Sequence, residues 1–294
     1  MRVKPQMMGL TTREINSLQP DEIDHFFELG QKWDLSETLS KGGSLIFPHT
    51  LTSTCGDQVA AAVTGCLNSE KKRVIVLGVL HSLNHQHLVD ARLRLRMGED
   101  VSNEPCRGIF GPMFSGEEPA WQQEYSLEGF KFLWDYEIKR RGLENPPELI
   151  IAYPCLSASM PWSLKGMDLL KEHLPGSLVI ATTDFCHHGA AYTRLPASPK
   201  LPISPEAEKF SMHAIEMGLE IMGRQNHADF GKYCVAHGCD GYDVIDVLMY
   251  LLGPLKSKIL DSRLVDTSYL YEGDPTPSWV AASLIELVPF SVVN

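Results

Sequence analysis

The stretch LVIATTDFCHHG, residues 178–189, opens as an apolar run, stops at Thr182-Thr183-Asp184, and then presents a thiol and two adjacent histidines. Short, nearly continuous apolar runs of this kind suit strands buried on both faces. Three other runs share its form: Leu45-Ile46-Phe47, which ends at Pro48-His49, Arg73 to Leu80, which ends at His81, and Leu149 to Tyr153. Helix-forming segments lie between them. Asp57 to Val63 is rich in helix formers. Ser126 to Arg141 carries Leu127, Phe130, Trp134 and Ile138 on one stripe. Leu164 to Leu174 reads as a short helix capped by Ser163. Further helices are expected around Phe210, Ala214, Met217 and Ile221, and from Tyr242 through Leu251, with a last strand from Trp279 to Leu287. Val101 to Gln122 reads as a long loop and Pro196 to Pro205 as a proline-rich connection.

Strands alternating with helices predict an α/β fold with a mostly parallel central sheet covered on both faces. In such sheets, functional groups collect beyond the carboxyl ends of the strands. His49, His81 and the 184–188 cluster all follow apolar runs, so the architecture would bring them to one rim. Residues 1–43 form a polar, partly helical lead-in expected to pack on a single domain spanning 44–294.

The chain has 294 residues and a formal net charge of -11. That acidity excludes a duplex nucleic acid partner, which wants a basic face, and disfavours an anionic membrane surface. No run approaches the ~18–20 apolar residues of a membrane span. Met1 to Leu10 is basic at first with no long apolar stretch behind it, so no secretory leader is expected. Seven scattered cysteines without a CxxC pair suggest free thiols in a reducing, cytoplasmic setting.

Imidazole is the commonest protein metal ligand, although a lone histidine at a strand end is more often held structurally by a backbone hydrogen bond. His49 and His81 share one context, which strengthens the pair as ligands. His187 and His188 are adjacent, and successive side chains of an extended segment diverge, so one faces the site and the other faces away. Asp184 reads either as a group orienting a histidine or as a turn residue. Ala236 to Asp243 mixes His237, Cys239, Asp240 and Asp243 ahead of a helix, where a carboxylate also serves as a cap. Glu124 and Tyr125 open the helix after the long loop, as caps or as groups reaching into a cleft.

On these motifs the chain resembles the Memo-like family, related in fold to class III extradiol dioxygenases of the protocatechuate 4,5-dioxygenase type. The resemblance spans about residues 44–289. Pro48-His49 with Gly56 resembles "PHAGY…G", Leu77-Gly78-Val79-Leu80-His81-Ser82 resembles "LGPxHH", and Glu124-Tyr125-Ser126-Leu127-Glu128 resembles "EHSxE". Thr183-Asp184-Phe185-Cys186-His187-His188-Gly189 closely matches "SDFxHxG", and Asp266-Thr267-Ser268 through Gly273-Asp274 and Val280-Ala281-Ala282 is similar to the closing pattern. Departures are the lost "AGY", Ser82 in place of a second histidine, and Tyr125 in place of the "EHS" histidine.

The resemblance implies a single three-layer αβα domain and a pocket carrying His49, His81 and His187. A "CGxxPI" segment anchored on Gly241 and Ile245 places Asp240 where the family has a cysteine. His49, His81 and Asp240 then form the two-histidine, one-carboxylate set of non-haem Fe(II) oxygenases. Fe(II) is the metal implied, with Zn or Cu as alternatives. The expectation is a dioxygenase-like oxidoreductase acting on a small molecule, aromatic ones included. His187 would act as acid or base with Asp184 as its helper, and Tyr125, Glu124, His188 and Cys239 would be pocket candidates. Two other readings stay open: a peptide- or protein-binding module that does no chemistry, and a Zn-dependent hydrolase. The partner expected is a small-molecule or peptide ligand, with the oligomeric state left open.

Overall fold

Strand β1 (Ser44–Phe47) is buried along its whole length, and β2 (Arg73–Leu77) along all but its first residue. In this computed structural model, residues 9–81, 90–92, 94–95, 97, 99–114, 121, 124–192 and 200–290 are described. Residues 1–8, Ser82, Gln122 and Pro196 to Pro199, which belong to expectations above, lie outside them.

β2 pairs in parallel with β4 (Glu148–Cys155) and with β5 (Ser177–Thr182), and β5 pairs in parallel with β1. These four strands are the parallel centre of the expected α/β sheet. Antiparallel strands complete both edges. β3 (Gly108–Phe110) joins β4, and β8 (Ser278–Pro289) joins β1. β6 (His187–Gly189) and β7 (Leu255–Asp266) both pair with β8. β7 occupies one edge of β8 from Trp279 to Pro289, so β1 and β6 must share the other edge. β6 therefore sits beyond the carboxyl end of β1, where His49 emerges.

Period-two alternation sorts the strand residues into two cores. Leu45, Phe47, Val74, Val76, Leu178 and Ile180 face one side. Ile46, Ile75, Leu77, Val179 and Ala181 face the other. The first side is covered by helices α2 (Pro20–Gly30), α3 (Ser36–Ser40), α4 (Thr52–Asn68) and α5 (Glu128–Arg141). The second is covered by α6 (Met167–Glu172), α7 (Pro205–Gly223), α8 (His227–His237) and α9 (Tyr242–Leu252). The result is a three-layer αβα domain.

The lead-in is built into that domain. Ile23, Phe27, Leu35 and Leu39 belong to the first core. From α1 (Leu10–Ser17), the Glu14 carboxylate accepts the backbone N–H groups of Thr52 at 3.1 Å and Ser53 at 2.8 Å. It thereby caps the N-terminus of α4, which follows His49.

Several local expectations change. β2 stops at Leu77, because the backbone then leaves the ladder: Val79 O accepts Ser126 Oγ at 2.7 Å instead of a strand partner. Ser163 does not cap α6. That helix starts after Gly166 at φ 90, and Ser163 ends a short turn where its backbone carbonyl accepts Arg107 at 2.9 Å. The long loop contains β3, and α8, β6 and β7 are additions, while the expected last strand is β8. Among the described residues, no helix is long and apolar enough to cross a membrane.

Candidate metal centre

Four chain segments deliver the site. His49 and Asp184 each come two residues past the ends of the paired strands β1 and β5, where Phe47 lies opposite Thr182. Thr183 N donates to Phe47 O at 3.1 Å and extends this pairing by one step. His81 follows β2, and His187 opens β6. Asp240 comes from the turn between α8 and α9.

That turn is locked onto β5. Asp240 Oδ1 accepts Thr183 Oγ1 at 2.8 Å and the Asp184 backbone N–H at 3.0 Å. The next residue, Gly241, is required by close approach, since a Cβ there would lie 2.1 Å from Thr183 Oγ1. Both lone-pair directions of Oδ1 are thus used, and Oδ2 is left facing the imidazoles.

Three Nε2 atoms surround Asp240 Oδ2: His49 at 3.0 Å, His81 at 3.6 Å and His187 at 3.7 Å. His49 lies at hydrogen-bond distance, yet no hydrogen bond to Oδ2 is formed. Oδ2 is buried and has no hydrogen-bond partner among the described residues.

The tautomers explain why. Thr182 Oγ1 donates its proton to Phe47 O at 2.8 Å, so toward His49 Nδ1, 3.1 Å away, it accepts. His49 therefore carries its proton on Nδ1. His81 Nδ1 lies 2.9 Å from the Glu124 carboxylate, an acceptor only, so its proton is on Nδ1 as well. In their neutral forms both rings aim an Nε2 lone pair at the region of a carboxylate oxygen. Lone pairs converging on one place call for a cation or a proton.

The electrostatics agree. Burial opposes charging His49, but the carboxylates of Asp240 and Asp184 outweigh it and raise the pKa. Burial likewise opposes charging His81, yet the neighbouring carboxylates of Asp240 and Glu124 raise it to about 9. Burial pushes Glu124 up, but His81 overrides it and brings Glu124 down to about 2. Asp240 is held well below the ordinary carboxylate range, because the imidazoles outweigh its burial. Asp184 is raised, chiefly by burial.

The donor set fits a divalent cation. Ligands about 2.1 Å from one ion lie about 3.0 Å apart at right angles and about 3.4 Å apart at the tetrahedral angle. The separations from Asp240 Oδ2 to His49 and His81 are 3.0 and 3.6 Å. The ligand atoms of His49, His81 and Asp240 all fall within 4.8 Å of one another, and those of Asp184, His187 and Asp240 form a second such group.

The remaining predicted residues separate. Tyr125 stays at the site, its ring stacked on His81 with centroids 4.6 Å apart and an interplanar angle of 14°. Glu124 does not line the opening. Its carboxylate is buried, accepts from the backbone of His81, Tyr125 and Ser126, and so fixes both the His81 loop and the turn that leads into α5. His188 turns away, as alternation requires. Its Nε2 accepts Leu201 N at 3.0 Å and its ring stacks on Trp279 at 4.6 Å. Cys239 is also directed away from the opening. It is buried in the second core, with its sulfur 3.7 Å from Thr183 Oγ1.

Sequence reasoning missed four contributors. Thr182 and Thr183 set the His49 tautomer and hold Asp240, and their signal was the Thr-Thr pair at the strand end. Tyr192 packs edge-on against His187 at 4.8 Å, and Tyr271 against Tyr192 at 5.5 Å. No pattern in the sequence marked those two. No family model matches the chain, and no curated protein matches it.

Proposed function

We propose that the chain is a metal-dependent protein of the Memo-like kind, with His49, His81 and Asp240 holding one divalent cation, Fe(II) in the working form. The observation that carries this reading is the convergence of two Nδ1-protonated imidazoles on a buried Asp240 oxygen that has no hydrogen-bond partner among the described residues. Two imidazoles and one carboxylate are the ligand set of non-haem Fe(II) oxygenases. When bound, such an ion would supply redox chemistry with O2.

The chain's own groups frame that chemistry. Glu124 and Thr182 hold the two ligand rings in one tautomer. His187 stands across Asp240 from them, with Nε2 3.7 Å from Oδ2 and a buried Nδ1 that has no hydrogen-bond partner among the described residues. It is placed to take or return a substrate proton. Asp184, buried beside it, stabilises the charged ring that results. Tyr125 and Tyr192 flank the imidazoles and offer ring faces and edges to a small aromatic substrate. Seven cysteines, all free, support a reducing, cytoplasmic setting.

The test is oxygen uptake by anaerobically Fe(II)-loaded protein with a panel of catechols. Uptake that is lost in His187→Ala with iron retained supports the oxidoreductase. Bound iron without uptake for any catechol rejects it and leaves a binding module. Activity on ester or amide substrates with Zn, and none with Fe(II), favours a hydrolase.

A further inference from the structure

The five donors of the centre do not fall into one group. They form two triads, His49–His81–Asp240 and Asp184–His187–Asp240, with Asp240 common to both. The first triad accounts for one ion. The second contains groups that this ion leaves unsatisfied.

Asp184 is 2% exposed. Its Oδ2 accepts Thr50 Oγ1 at 2.9 Å, while Oδ1 is buried with no hydrogen-bond partner among the described residues. A buried carboxylate oxygen without a donor is unfavourable, and a cation satisfies it. His187 is anchored by backbone rather than by its ring, since β6 pairs it with Val280. Its Nδ1 has no hydrogen-bond partner among the described residues, so no outer acceptor fixes the ring in one tautomer. The ring is free to present an unprotonated nitrogen to a ligand. Asp240 Oδ2 faces both triads, and one carboxylate between two ions is a common bridge in two-metal sites.

We propose that the centre takes two divalent cations, the second held by Asp184, His187 and the shared Asp240. This rests on the proposed function for the first ion only. It also defines a control on that function. In the one-ion state His187 is available for proton transfer. In the two-ion state its nitrogen is a ligand, so excess divalent metal withdraws the base. The ligand suited to the doubly loaded centre has two neighbouring oxygen donors, one for each ion.

The experiment titrates the metal-free full chain with Co(II), following absorbance and counting bound metal after equilibrium dialysis. Two equivalents are expected for the unmodified chain. One is expected for His187→Ala and one for Asp184→Asn, with the remaining ion bound within about tenfold of the first ion's affinity in the unmodified chain, the lower end of effects seen when groups outside the ligand set are lost. A second measurement needs no variant. Mn(II) added to one equivalent should give the magnetic-resonance signal of an isolated ion, and to two equivalents that of a coupled pair, as for ions about 3.5–4 Å apart. Saturation at one equivalent overturns the second site and leaves the proposed function standing. Two equivalents with uncoupled Mn(II) signals, or with both ions retained in the two variants, place the second ion elsewhere and overturn it too. No binding at all removes both.

Discussion

The Glu124 carboxylate lies 2.9 Å from His81 Nδ1 and also accepts the His81 backbone N–H. One buried side chain therefore fixes both the loop that carries His81 and the ring nitrogen that this proposed ligand exposes. Glu124→Gln keeps the shape but removes the charge. Metal affinity should fall by about 10–100-fold, the usual effect of losing a group that orients a ligand histidine. Calorimetric titration with Co(II) or Zn measures it. An unchanged affinity would mean that Glu124 serves only to hold the turn ahead of α5.

The same pair sets a pH dependence with opposite signs in the two forms of the protein. His81 rises from 6.5 to about 9 on folding, so its contribution to the metal-free protein is complete below 6.5 and is lost as pH rises through about 9. Glu124 falls from 4.5 to about 2, so its contribution is present above 4.5 and is lost as pH falls through about 2. Metal binding runs the other way, because the cation displaces the His81 proton. Affinity should climb by about tenfold per pH unit for each proton released, up to about pH 9. Thermal melts of the metal-free chain against His81→Ala, at pH 7 and pH 10, should show the stability advantage shrinking. Metal titrations over the same range should tighten.

Gly241→Ala should be destructive out of proportion to one methyl group. The added carbon meets Thr183 Oγ1 at 2.1 Å, the group that holds Asp240. Relieving that clash must move the Asp240 turn. We expect a stability loss of about 1–3 kcal/mol, the range for an overpacked site, together with weakened metal binding. Urea denaturation and metal titration on the same samples separate the two effects.

Adjacent histidines should behave differently. His188→Ala removes a ring packed on Trp279 and Phe210, so stability falls, on the order of 2 kcal/mol, while the first metal equivalent is retained. His187→Ala should barely change the melting temperature of the metal-free protein and should alter metal stoichiometry or turnover. The reverse pattern would exchange the two assignments.

The buried parallel strands, the helices between them and the rim positions of His49, His81 and His187 were legible in the sequence, because continuous apolar runs that end in polar side chains are a strong local signal. The β7–β8 hairpin was not legible as a whole. β7 reads LKSKILDSRLVD, which shows no clean alternation, and its pairing with β8 is a long-range fact. That omission hid why His187 lies beside His49: β6 takes its place from β8. Cys239 reads in the sequence as a pocket candidate beside the ligand candidate Asp240, yet one residue in a tight turn separates a side chain facing the core from one facing the rim. Tyr192 and Tyr271 approach the site from separate loops, and only the folded chain puts them together.

Asp240, not Cys239, is the residue we propose to complete the ligand set with His49 and His81. The most direct measurement is an anaerobic titration of Fe(II), with Co(II) as its optical stand-in, into Asp240→Ala and Cys239→Ala. We predict that Asp240→Ala loses affinity by more than the roughly 10–100-fold that follows loss of an orienting group, and that Cys239→Ala binds as the unmodified chain does. Unchanged affinity in Asp240→Ala, or a thiolate-to-Co(II) charge-transfer band that disappears only in Cys239→Ala, would contradict the account.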